Sequence, residues 1–165
     1  MMQPHPTPPR SGQESVWDFP RPPRAERTLR RIRAVVAETP LVDSTRAIRV
    51  LETSHPPTYY LPPADVRMDL LVPASGSSVC EWKGRAVYFD ALVKGRRIQR
   101  VAWSYPDPTP AFEVIRDFLA FYLPALDAAH VDDEPAQPQP GGFYGGWITS
   151  DLAGPFKGEP GSASW

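Results

Sequence analysis

Glu52-Thr53-Ser54-His55 sets a carboxylate three residues before an imidazole, a spacing that fits acid–base chemistry. An imidazole titrates near neutrality, and a carboxylate beside it can orient the ring or share its proton. The Pro56-Pro57 that follows also fits a plainer role, in which the pair ties down a loop by hydrogen bonds. Cys80 precedes Glu81, Trp82 and Lys83. An ammonium that close lowers a thiol pKa and favours the nucleophilic thiolate, although no base accompanies it in sequence. A buried cysteine otherwise behaves as a small apolar residue. His55, Glu52 and Cys80 are the catalytic candidates.

Trp82 and Trp103, with Tyr60, Tyr88 and Tyr105, gather aromatic area in the middle third of the chain. Such density either fills a core with polar-tipped rings or stacks a flat ligand. Lys83 and Arg85 at the rim of a pocket would favour an anionic or nucleotide-like molecule, because a cation at an apolar mouth attracts and orients negative charge. The expected ligand set is Glu52, His55, Tyr60, Trp82, Lys83 and Trp103. Two rival readings use other features: an enzyme with His55 and Glu52 as its acid–base pair, or an interaction module working through a basic N-terminal arm. The Cys and His inventory is Cys80, His5, His55 and His130, so a four-ligand structural zinc site is nearly excluded. No phosphate-cradling glycine loop, dinucleotide fingerprint or Ser-His-Asp order is present, and neither a metal nor a cofactor is expected.

These residues must be positioned mainly by strands. Ile32, Ala34 and Val36 alternate with Arg33 and Val35, the period of a half-buried strand that Thr39-Pro40 interrupts. Ala47 to Thr53 is β-compatible, and Thr58 to Leu61, fenced by proline pairs, reads as a short edge piece. Ala74 to Ser78 reads as a loop of small residues. The clearest hairpin runs from Arg85 to Tyr105 about Lys94-Gly95, with Val101, Trp103 and Tyr105 on one face. Thr109-Pro110 can cap and start a helix whose apolar stripe is Phe112, Ile115, Leu119 and Tyr122. Leu126 to Val131 suits a last strand.

Composition sets the bounds. The 165 residues suit one domain with tails, and 22 prolines make long helices scarce. Residues 1–29 read as a Pro/Arg-rich arm, 30–136 as a single β domain, and 137–165 as a Pro/Gly-rich tail that wraps rather than folds. Net charge is −1, which disfavours a dedicated nucleic-acid binder, yet seven arginines in residues 1–33 face a stretch after Pro106 that holds nine acids and only Arg116 and Lys157 as cations. One cysteine suits a reducing compartment, and with neither a signal-peptide pattern nor a spanning apolar run the expected location is the cytoplasm, away from any membrane.

Four motifs in order carry a resemblance: Glu52 to Tyr60 (ETSHPPTYY), Cys80 to Gly84 (CEWKG) with Tyr88, Ala102 to Pro106 (AWSYP), and Val131 to Glu134 (VDDE). Together they resemble the domain-of-unknown-function family 427 over about residues 30–136. The resemblance implies a mainly β, antiparallel domain similar to two-sheet β-tent or short, partly open barrel folds, with one α-helix. The glycine-rich stretch Gly141 to Trp147 is similar to tails of bacterial, in particular actinobacterial, members. A nucleotidyltransferase-like label sometimes attached to such proteins finds little support here. Gly76-Ser77 lacks the two spaced carboxylates that would bind Mg²⁺ about a dozen residues later, and Asp132 and Glu134 lie far downstream.

Overall fold

The computed structural model describes residues 4–165, so the first three residues of the basic arm lie outside the described residues. In chain order the strands are β1 (Glu14–Ser15), β2 (Arg24–Arg27), β3 (Ile32–Val36), β4 (Thr39–Ser44), β5 (Ile48–Leu51) and β6 (Thr58–Tyr60). Three long ones follow, β7 (Leu71–Cys80), β8 (Gly84–Val93) and β9 (Arg96–Ser104). Then come β10 (Leu119–Phe121), β11 (Ala128–Val131), β12 (Glu134–Pro135), β13 (Gln137–Pro138), β14 (Trp147–Ile148) and β15 (Leu152–Ala153). They pair as two four-stranded sheets, ordered β10-β9-β8-β7 and β12-β11-β3-β4, a three-stranded sheet β2-β5-β6, and two short ribbons, β1-β15 and β13-β14. The fold is mainly β and, outside the parallel β1-β15 ribbon, its strand pairs are antiparallel.

Alternation in β3 does what its pattern requires: Ile32, Ala34 and Val36 are buried and the residues between them only half so. The break expected at Thr39-Pro40 falls two residues earlier. Ala37 and Glu38 make the turn with φ of 48° and 61°, the primed-turn geometry that glycine or asparagine usually supplies. Pro40 stays within β4 because that strand is an edge and the register shifts at its partner Val35. β6 is likewise an edge, as its flanking prolines require. The small-residue run expected as a loop is instead part of β7, which shifts register between Pro73 and Ser77 and continues to Cys80.

The helix expected from Pro110 begins there after Thr109, but it is a 3-10 helix ending at Ile115. Phe112 and Ile115 are buried as the stripe requires; Asp117 then turns the chain with φ of 62°, and Leu119-Ala120-Phe121, all buried, join β9 as a strand. A continuous apolar run of that length fits a strand covered on both faces as well as a helix, so periodicity alone misassigned it. Among the described residues no helix is long and apolar enough to cross a membrane.

The β7–β10 sheet divides the interior. One face sends Phe89, Ala91, Val93 and Ala102 into the largest core with Ile32, Val36, Leu41, Leu61 and Phe121. The other sends Ala86, Trp103 and Ala120 into a second cluster with Ile48, Val50, Tyr60, Tyr105, Phe112 and Ile115. A third joins Val16, Phe19, Leu51 and Leu152, drawing on both end segments. The basic arm therefore contributes β1, β2 and a fully buried valine. The tail contributes Trp147, also buried, whose indole N–H donates to the Phe121 carbonyl at 3.2 Å.

Candidate functional site

Glu52 and His55 lie in the turn between β5 and β6. Its backbone is anchored twice: the Ser54 N–H donates to the Val16 carbonyl at 3.0 Å, and the Ser54 carbonyl accepts the Lys157 N–H at 2.8 Å. Glu52 Oε2 stands 3.5 Å from His55 Nε2 and 3.6 Å from an Arg21 guanidinium nitrogen. On the ring's other side, His55 Nδ1 is 3.0 Å from the Gln139 side-chain nitrogen.

That amide fixes the imidazole tautomer. Gln139 Oε1 accepts the Gly146 backbone N–H at 3.1 Å, while Nε2 donates to the Lys157 carbonyl at 2.9 Å. Neither backbone group can exchange its role, so the amide cannot be flipped, and His55 Nδ1 must accept the second Nε2 proton. The imidazole proton consequently sits on Nε2, facing Glu52. Burial lowers the His55 pKa below its ordinary value against the opposing pull of Glu52, and the cations Lys157, Arg21 and Lys83 lower it further. The ring is neutral, with both nitrogens occupied by protein, and Tyr144 packs edge-on against it at 5.2 Å between centroids.

Cys80 ends β7, and Trp82 and Lys83 form the turn into β8. The Lys83 ammonium reaches Cys80 Sγ at 3.6 Å and lies 5.9 Å from the Tyr105 ring centre. Among the described residues no carboxylate stands within ion-pair distance of it. The Trp82 carbonyl accepts the Thr109 hydroxyl at 2.6 Å, and its ring packs against the second core cluster. Trp103 on β9 donates its indole N–H to the Tyr60 hydroxyl at 3.4 Å. Tyr60 is fully buried and its ring lies 6.3 Å from that of Tyr105. Burial raises both phenol pKa values well above the ordinary range, so both stay neutral hydroxyls.

The chain thus brings Tyr60, Trp82, Lys83, Trp103 and Cys80 around one cluster, with the Glu52–His55 pair within electrostatic reach of Lys83. His55, Trp82, Lys83 and Trp103 are half-buried. The tail closes one side: a Cβ on Gly145 would come within 2.2 Å of the Trp103 ring edge, so only glycine lets the backbone pass there. Gln139, Tyr144 and Lys157 also belong to this arrangement; Tyr144 stands in the glycine-rich stretch Gly141 to Trp147, whereas no sequence feature marks Gln139 or Lys157, which reach the site from a segment without periodicity. A separate open groove of about 330 Å³, lined by Leu41, Val42, Asp65 and Val66 among others, includes none of these residues. Among the described residues no group of three or more His, Cys, Asp or Glu side chains is placed to hold a metal ion.

Residues 24–132 match the family model described as Domain of unknown function (DUF427). The match covers well over half of the chain, begins at the first residue of β2 and ends just past β11, and the chain belongs to that family. A search of the curated proteins finds no match.

Proposed function

We propose that this chain is a small-ligand-binding β domain whose site is the half-buried aromatic face of Trp82 and Trp103, backed by the buried Tyr60, with Lys83 and the Glu52–His55 pair, and whose ligand is a flat, anionic molecule. One observation carries the reading. The Lys83 ammonium lies beside the Tyr105 ring and the Cys80 thiol, with no carboxylate within ion-pair distance among the described residues. An unanswered, partly desolvated ammonium beside stacking surface is what an anionic aromatic ligand requires. Burial keeps His55, Tyr60 and Tyr105 neutral, so none of the three competes with Lys83 for the ligand's charge.

Acid–base catalysis by His55 and Glu52 draws on the same pair, but Nδ1 is filled by Gln139 and Nε2 carries a proton toward Glu52. That imidazole fits a positioning role better than proton transfer. The basic arm is less available to a polyanion than its composition suggests. Arg21, Arg24, Arg30, Arg31 and Arg33 all have carboxylate partners within the fold. A bacterial cytoplasm is the setting we propose, on the strength of the single cysteine and the glycine-rich tail.

Ligand-detected NMR on the full chain, with flat aromatic compounds supplied as anionic and neutral pairs, tests the reading. Anionic members should bind, quench tryptophan emission, and lose their advantage over the neutral members in Lys83→Ala. The proposal fails if no aromatic anion binds, or if binding is indifferent to both Lys83→Ala and Trp103→Leu.

A further inference from the structure

The β8–β9 ladder shifts register between Phe89 and Ala91, and Asp90 occupies the irregularity. Its Oδ1 accepts the Arg100 backbone N–H at 2.7 Å and its Oδ2 accepts Arg97 Nε at 2.7 Å. Arg100 takes φ of 47° there, a left-handed conformation that costs energy for a long side chain and persists only where surroundings impose it. Bulges of this kind re-aim side chains. This one lays the Arg100 guanidinium 4.4 Å over the centre of the Tyr88 ring, with Nη2 donating to the Ser75 carbonyl at 3.2 Å. Gly76 clears the space, since a Cβ there would stand 2.7 Å from Nη2.

Tyr88 is the direct cross-strand partner of Trp103, so the two rings project from the same face of the sheet. The Tyr88 and Ser78 hydroxyl oxygens are 2.6 Å apart, and one proton between them leaves the other free to point outward. Of the five guanidinium N–H groups on Arg100, one is used by Ser75, and no carboxylate pairs with the guanidinium among the described residues. The aromatic face thus has a cation at each end, Lys83 beside Tyr105 and Arg100 above Tyr88, with Trp103 between.

We infer that the Arg100–Tyr88–Ser78 cluster is the phosphate-holding end of this face, and that the ligand is a flat ring carrying a phosphate monoester. A stacked guanidinium presents its edge donors in the fork geometry that suits phosphate oxygens. The remaining donors, together with a hydroxyl proton, exceed what the two oxygens of a carboxylate can take. The inference rests on the ligand-binding reading above, and Arg100 has no part in the Lys83 test.

The four ribonucleoside 5′-monophosphates and their parent nucleosides are titrated into the full chain by isothermal calorimetry, at two salt concentrations. At least one monophosphate should bind about tenfold or more tightly than its nucleoside, and Arg100→Ala should erase that preference while leaving nucleoside affinity within about twofold. Tyr88→Phe, which keeps the ring beneath the guanidinium, should lower the preference only partly, and Arg100→Lys should fail to restore it. The inference is overturned if no monophosphate is preferred over its nucleoside, or if the preference survives Arg100→Ala. Loss of nucleoside and monophosphate binding alike in a folded Arg100→Ala also counts against it. Failure of every compound to bind, with Lys83→Ala and Trp103→Leu silent against the aromatic anions, sinks the underlying ligand-binding reading instead.

Discussion

Gln139 is the residue on which the His55 environment turns. Its side chain spends all its hydrogen-bonding capacity but one acceptor lone pair on the imidazole, the Lys157 carbonyl and the Gly146 amide. Protonating His55 would set an N–H against the amide N–H₂ and break that chain of contacts. A histidine held neutral in the fold binds fewer protons than in the unfolded chain at pH values between its two pKa values. Its contribution to stability is therefore full above the ordinary histidine value and is lost as pH falls through the depressed one. Melting temperature should drop on acidification through the histidine range, well above the carboxylate range, and the drop should disappear in His55→Gln. An NMR titration placing the His55 pKa above that of a free histidine would contradict this. The Glu52–His55 pairing could be read from a spacing of three residues. Gln139 could not, because its partners are a side chain 84 residues away and two backbone groups that any sequence supplies.

At the scale of elements, legibility followed length. The hairpin of β8 and β9 was visible because ten- and nine-residue strands give period-2 alternation room to show, with Lys94-Gly95 at the turn. Leu119–Phe121 was not, since three apolar residues carry no period and had helical spacing from Phe112 and Ile115 in front of them. The bulge at Asp90 left no mark either: a lone acid in a strand looks like an ordinary outward position. It is in fact buried, with its side chain 9% exposed, and committed to Arg97 and the Arg100 amide. Asp90→Ala should cost about 1–3 kcal/mol by orphaning that amide and freeing Arg97. It should also release Arg100 from Tyr88, so hydrogen exchange at the Arg100 amide should accelerate while the β3–β4 amides stay protected. Uniform acceleration across both sheets would show that the bulge is no local clamp.

For the whole molecule, the charge asymmetry of the sequence becomes a set of cross-links. Arg30 joins Asp132 at 2.9 Å and Asp151 at 2.5 Å, and Arg49 binds both Glu14 and Glu26. These pairs lie where the end segments meet the sheets. Apolar burial does the rest: Val16, Phe19, Leu51 and Leu152 form one cluster, and the Trp17 indole donates to the Pro155 carbonyl at 2.9 Å. Leu152→Ala should destabilise the chain by roughly 2–3 kcal/mol, and it should shift Trp17 emission to the red before the main transition. Coincident changes at Trp17 and at the β8–β9 hairpin would mean that the ends and the sheets melt as one unit. Composition foretold the attraction between the termini but not that both would be built into strands, because two-residue pieces such as β1 and β15 have no signature of their own.

The parallel pairing of Glu14 with Leu152 and Ser15 with Ala153 imposes an order of events. On the ribosome Val16 and Phe19 are made long before Leu152, the residue that covers them. Until then those side chains have no native cover from Leu152, and a nascent chain paused before that point is the species a chaperone would be expected to hold.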